Sequence, residues 1–143
     1  MLGFNHVLAG SIVAIIVPAP LVPVVSLPLH FVLDTFPHFG NSATVYPYTR
    51  SFKRLLVFDA LLCIGGLVLA IMLFPQLWVI ITIGAFFGAL PDFLWIWRTK
   101  GPTWFQSFLR FANWIQWGER PYGWMFDVFY AAIMVVALYL LSR

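Results

Sequence analysis

Apolar stretches alternate with proline-rich or polar breaks along the whole chain. From Asn5 to Val17 the residues are apolar and helical in composition, until Pro18-Ala19-Pro20 and Pro23 interrupt them; a second apolar stretch runs from about Val24 to Phe36. Each piece of about 13–16 residues would be about 20–24 Å long as a helix, short for a full membrane crossing. The pattern predicts a tight hairpin of two short helices over 4–38. A polar loop follows from Gly40 through Arg54. Leu55 to Trp97 is then apolar for about 43 residues, with Pro75-Gln76 near its middle. That is twice the roughly 20 residues one crossing needs, which predicts a second hairpin over 54–97. A polar and aromatic segment occupies 102–118, and a last apolar helix is predicted over 122–141. The expected architecture is an all-α integral membrane protein, one transmembrane domain over 1–143. It has two short helical hairpins, an interfacial amphipathic helix and a C-terminal transmembrane helix.

Composition narrows the class. The 143 residues are 62% hydrophobic and 9% charged, against about 45–50% and about 25% for ordinary soluble domains. Mean hydropathy is +0.93. Too few polar residues remain to clothe a soluble globule, which excludes a soluble enzyme, a disordered chain and a typical nucleic-acid binder despite a pI near 9.4. The expected surroundings are a lipid bilayer, with no nucleic-acid partner. The single cysteine, Cys63, lies in an apolar run and has no partner for an intrachain disulfide. No Lys or Arg precedes the first apolar stretch, so no cleavable leader is expected.

Charge orients the helices. Of the eight basic residues, Arg50, Lys53, Arg54, Arg98, Lys100, Arg110 and Arg120 follow the first or the second hairpin, and the turns near Pro20 and Pro75 carry none. The positive-inside rule predicts cytoplasmic loops, a cytoplasmic N-terminus and the opposite side for Arg143. Within Thr103 to Trp117, helical spacing puts Trp104, Phe108, Phe111 and Ile115 on one face and Gln106, Arg110 and Asn113 on another. Trp114, Trp117 and Trp124 add rings suited to the headgroup zone. This segment reads as an interfacial anchor or as a lid over a site at the same surface.

Four of the five acidic residues, Asp34, Asp59, Asp92 and Asp127, lie within or at the edge of apolar helices. An aspartate at the centre of a membrane helix costs about 2.5–3.5 kcal/mol on insertion scales, so each calls for a partner or a function. The predicted topology gathers these acids, with His6, His30 and His38, into one cytoplasmic-side layer. His30 and Asp34, at i and i+4, share a helix face, and imidazole with carboxylate is a donor pair for zinc. A His–Asp hydrogen bond that neutralises a buried acid is the structural alternative.

An internal similarity bears on the same residues. His6 precedes Asp59 by 53 positions and His38 precedes Asp92 by 54, and each hairpin ends in Pro-polar-Phe, as Pro37-His38-Phe39 and Pro91-Asp92-Phe93. A pseudo-repeat of this kind commonly builds a site at its shared interface. His6, His30, Asp34, His38, Asp59 and Asp92 are the candidate metal ligands. Six donors exceed one zinc site, which leaves room for two metals, or for one metal and a base. Asp59 and Asp127 are the candidate acid–base residues. No Gly-x-Ser-x-Gly elbow, phosphate loop, His-Glu-x-x-His or cysteine pair is present.

His6-x-x-x-Gly10, His30-Phe-Val-Leu-Asp34 with Pro37-His38, and Gly88-Ala89-Leu90-Pro91-Asp92 together resemble motifs of the YdjM-like membrane-bound metal-dependent hydrolase family. That family has a distant likeness to zinc-dependent phospholipase C. The resemblance covers about residues 1–97, and Leu94 stands where the family pattern has a second acid. It implies a prokaryotic inner-membrane protein, a divalent metal, in particular zinc, and hydrolysis of a phosphoester or lipid headgroup. Arg50, Lys53, Arg54 and Arg98 would suit an anionic headgroup, although the positive-inside rule alone accounts for them. The competing class is a non-enzymatic membrane protein in which the His/Asp layer is a structural clamp or an ion or proton relay.

The topology has a direct check. Single cysteines at Ser42 and at Pro20 should react with an impermeant maleimide from opposite faces of the membrane; equal labelling from one face would contradict the first hairpin.

Overall fold

The computed structural model describes residues 1–40, 49–94 and 102–143. The first hairpin consists of α1 (Gly3–Ile16) and α2 (Val22–Asp34), joined by a short 3-10 turn at Ala19–Leu21. The second consists of α3 (Arg50–Leu73) and α4 (Trp78–Leu94), joined by a 3-10 turn at Pro75–Leu77. Helix α5 (Thr103–Ile115) and helix α6 (Trp124–Leu141) complete the chain. Both turns fall at the proline breaks, where a fixed φ and a missing N–H end one helix and start the next. A two-residue parallel pairing, β1 (His38–Phe39) with β2 (Glu119–Arg120), ties the exit of α2 to the α5–α6 connection, in the register His38 to Glu119.

Helix α1 is the hub, packed against α2, α3, α4 and α6. It buries nearly every residue from Asn5 to Ala14. Such close enclosure depends on small residues where α1 meets α4. A Cβ on Gly10 would strike the Gly84 carbonyl oxygen; one on Gly84 would strike the Gly10 carbonyl and the Ala14 side chain. Toward the far end of α1 the interior is apolar: Leu8, Val13, Ala14, Val22, Ala70, Phe74, Ile81 and Leu138 form one cluster. Near its start the buried residues turn polar, with Asn5, His6, His30, Asp34, His38 and Asp127 all almost fully enclosed.

The outside is the inverse of a soluble protein. Along α3 the residues Leu56, Val57, Phe58, Leu61, Ile64, Val68 and Met72 are exposed, as are Val128, Phe129, Ile133, Val136 and Leu140 on α6. Three helices, Arg50–Leu73, Pro75–Leu94 and Trp124–Leu141, are long and apolar enough to cross a membrane; Gly3–Ile16 and Ala19–Asp34 are shorter apolar helices.

Several boundaries differ from those read off the chain. Helix α3 begins at Arg50, ahead of the apolar run, because the Thr49 hydroxyl accepts a hydrogen bond from the Phe52 N–H at 3.1 Å and caps it. Pro91 lies inside α4, whereas α2 stops at Asp34 before Pro37. The two Pro-polar-Phe triplets therefore adopt different structures, one within a helix and one entering a strand. On α5 the inward residues are Phe105 and Leu109, while Trp104 and Phe111 of the expected apolar face are exposed and Phe31 meets the edge of that face at Phe108 and Phe111. A helix wheel gives the apolar sector but not the portion of it that a neighbour covers. The polar loop before Arg54 and the end of the second hairpin fall largely on 41–48 and 95–101, outside the described residues, as do Arg98 and Lys100.

The α1–α4 approach makes Gly84→Val strongly destabilising, since overpacking a close contact costs about 1–3 kcal/mol and here the obstacle is backbone. Gly65, with open space around its Cβ position, provides the control: Gly65→Ala should leave the melting temperature unchanged or raise it. Thermal unfolding of both variants in the same detergent checks the pair.

Candidate metal centre

An α-helix leaves its first four N–H groups without intrahelical partners. Helix α1 starts partly buried, and its N-cap residue, Leu2, has no side chain able to satisfy them. Aspartates from other helices take that role. The Leu2 N–H donates to Asp127 Oδ1 at 3.2 Å, Gly3 N–H to Asp59 Oδ2 at 2.8 Å and Phe4 N–H to Asp59 Oδ1 at 3.1 Å. Asp127 does more: its Oδ1 accepts from the Asn5 side-chain amide at 3.0 Å and its Oδ2 from the Phe39 N–H at 2.7 Å. It thereby fastens α1, α6 and β1 together. Negative carboxylates at the positive end of a helix dipole are favourable electrostatically as well. Asp59 and Asp127 are thus placed as caps of a partly buried helix start.

One turn along, α1 presents His6 to a different set of groups. His6 Nε2 lies 3.2 Å from Asp34 Oδ1, and His30 Nε2 lies 3.2 Å from Asp34 Oδ2. Asp92, half-buried on α4, approaches His30 Nε2 to 3.8 Å and His6 Nε2 to 4.0 Å. The two imidazoles stack with ring centroids 3.8 Å apart. Helical geometry explains the convergence: His30 and Asp34 share one face of α2, and His6 reaches them because α1 runs against both α2 and α4.

Proton positions follow from the partners. His30 Nδ1 lies 2.8 Å from the Gly88 carbonyl oxygen. A carbonyl can only accept, so Nδ1 carries the hydrogen, and in the neutral ring the Nε2 lone pair is turned to the carboxylates. Both nitrogens of His6 are buried without a hydrogen-bond partner. Nitrogen and carboxylate oxygen at 3.2 Å are held together favourably by a hydrogen on Nε2, as in a neutral His6 donating to Asp34, or by a metal ion between them. Two ligands about 2.0–2.1 Å from one tetrahedral zinc stand about 3.3 Å apart, close to the spacing seen here. Among the described residues, His6, His30 and Asp34 form the one group of such side chains whose donor atoms, all within 4.8 Å of one another, could hold a metal ion. Asp92 stands at its open edge.

Two further groups touch Asp34. The Met1 ammonium lies 2.8 Å from Oδ1, and the Gln116 side-chain amide donates to Oδ2 at 3.3 Å. Nothing in the sequence singles out Gln116; it arrives because the β1–β2 pairing draws the α5–α6 connection over the end of α2. Gly88 is a packing residue, since a Cβ there would strike the His6 carbonyl. Its carbonyl also orients His30, a role no side-chain pattern announces.

His38 falls elsewhere. Its Nδ1 donates to the Phe36 carbonyl at 2.8 Å, and its buried Nε2 has no partner. Burial, reinforced by the Met1 ammonium, pushes this imidazole below the ordinary histidine range and keeps it neutral at pH 7. Of the six candidate ligands, His6, His30, Asp34 and Asp92 are brought together. Asp59 is bound to the start of α1, and His38 to the turn after α2. Among the described residues no ion pair links Arg50, Lys53 or Arg54 to this site; Lys53 and Arg54 border a shallow surface groove on α3 with Val57, Phe58 and Leu61. No family model, curated protein or solved structure matches the chain.

Proposed function

We propose that the chain is an integral membrane protein in which His6, His30, Asp34 and Asp92 hold a divalent cation, zinc in the first instance, and that the centre serves hydrolysis of a phosphoester or lipid headgroup. The observation that carries the metal is the convergence of two histidine Nε2 atoms, one of them with its tautomer fixed by the Gly88 carbonyl, on the two oxygens of Asp34 at 3.2 Å. When bound, such a cation lowers the pKa of a coordinated water and polarises a phosphoryl or acyl oxygen. His6 and His30 supply neutral nitrogen donors, Asp34 a buried oxygen donor oriented by Gln116, and Asp92 an oxygen at the accessible edge. From that edge Asp92 can serve as a fourth ligand or accept the proton of an incoming water. The resemblance to the YdjM-like family points to the same class of chemistry. The excess of basic residues in the connections supports a cytoplasmic face for this layer, and the resemblance supports a prokaryotic inner membrane. In the same arrangement α5 lies in the interface, with Trp104 and Trp114 outward and Trp117 exposed just after it.

A second reading has its own support. The Met1 ammonium already contacts Asp34 at 2.8 Å, and a cluster neutralised in this way would be a clamp between hairpins without any metal.

The two readings separate on stability. A ligand present at about a thousand times its Kd stabilises the folded form by about 4 kcal/mol, and for a chain of this size each kcal/mol is worth about 2–4 °C. Protein purified without a polyhistidine tag should contain one equivalent of metal, and chelation should lower its melting temperature by about 10 °C. Asp34→Asn should lose the metal and with it the response to chelator. Metal-free protein with a melting curve indifferent to chelator would decide for the clamp.

A further inference from the structure

A groove of about 190 Å³ runs between α2 and α6, lined by Met1, Leu33, Phe36, Tyr130, Ile133 and Met134. We infer that this groove receives one acyl chain of a membrane glycerophospholipid, whose phosphate then lies at the Met1 ammonium beside Asp34. This rests on the metal-centre reading and deepens it by naming the substrate class and its route of entry.

Four features support the assignment. The walls are almost wholly carbon, contributed by aliphatic and aromatic side chains. The volume is below the roughly 300–1,000 Å³ of pockets that enclose a whole drug-sized ligand, so it suits a segment of a single chain. The groove is also continuous with the apolar exterior: Phe36 and Ile133 on its rim are about half exposed, and lipid is what surrounds that exterior in a bilayer. Its direction is right as well. Along α6 the lining residues Tyr130, Ile133 and Met134 follow Asp127 by one to two turns, descending about 10 Å from the polar layer at 1.5 Å per residue. At the upper end, Leu33 adjoins Asp34 in sequence, and Met1 carries the ammonium that touches Asp34 Oδ1. A lipid lying in the groove would keep its tail at the depth of tails, its head at the depth of the centre, and a cation beside its phosphate.

The test is photolabelling of the full chain in vesicles of phosphatidylethanolamine and phosphatidylglycerol, doped with a phosphatidylethanolamine that carries a diazirine in one acyl chain. Peptides containing Leu33 and Phe36, or Ile133 and Met134, should be labelled several-fold more than the outward face of α3 around Leu61, Ile64 and Val68. Met134→Trp, which fills the groove, should remove that excess while metal content stays unchanged; Ile133→Trp repeats the test from the rim should the first variant not fold. Labelling spread evenly over the apolar exterior, or an excess that survives both substitutions, would overturn the assignment. Metal content is read on the same samples: groove labelling in metal-free protein sustains the lipid site and removes the centre, and metal without groove labelling does the reverse.

Discussion

The start of α1 is the constraint on which the rest depends. A helix that begins partly buried brings several unpaired N–H groups with it, and leaving even one buried without an acceptor costs about 1–3 kcal/mol. Leu2, Gly3 and Phe4 find theirs in Asp127 and Asp59, which sit on two different helices. The same hydrogen bonds therefore fix α3 and α6 relative to α1, and Asp127 adds β1 through the Phe39 N–H. Small residues complete the arrangement, since only glycine at 10 and 84 lets α4 come close enough to α1 for Asp92 to approach His6.

From this packing the acidic residues divide by task. Asp59 and Asp127 accept from backbone and serve the fold. Asp34 and Asp92 face the Nε2 atoms of His6 and His30. The division is one of geometry rather than residue type, because all four are aspartates at the edge of apolar helices. It also accounts for the cost of putting acids there: Asp59 and Asp127 accept N–H groups at a helix start, Asp34 pairs with the Met1 ammonium beside the histidines, and Asp92 stays partly exposed. Gln116 orients Asp34 and the Gly88 carbonyl orients His30.

Much of this was legible in the chain. Proline breaks marked both hairpin turns, the length of the apolar runs gave their number, and the i, i+4 spacing of His30 and Asp34 put them on one face. Equal depth brought His6 and Asp92 into the same layer. The tasks of Asp59 and Asp127 were not legible, because a cap is usually sought within two or three residues of the helix it serves, and these lie 55 or more positions away. The matched spacings of His6 with Asp59 and His38 with Asp92 carried no register information of that kind. The inward stripe of α5 was hidden for a related reason: several apolar stripes compete on that helix, and the choice between them is made by Phe31 and the core, not by α5 itself.

Cobalt substitution separates the aspartates that cap α1 from those proposed to hold a metal. A four-coordinate nitrogen and oxygen site loaded with Co(II) gives visible d–d absorption that reports ligand loss independently of activity. Asp34→Asn should abolish the band while the protein still folds. Asp127→Asn should leave the band in place and lower the melting temperature, because one oxygen of the junction between α1, α6 and β1 becomes an amide group that cannot accept. Loss of the band in Asp127→Asn with no change in stability, or its persistence in Asp34→Asn, would contradict the assignment.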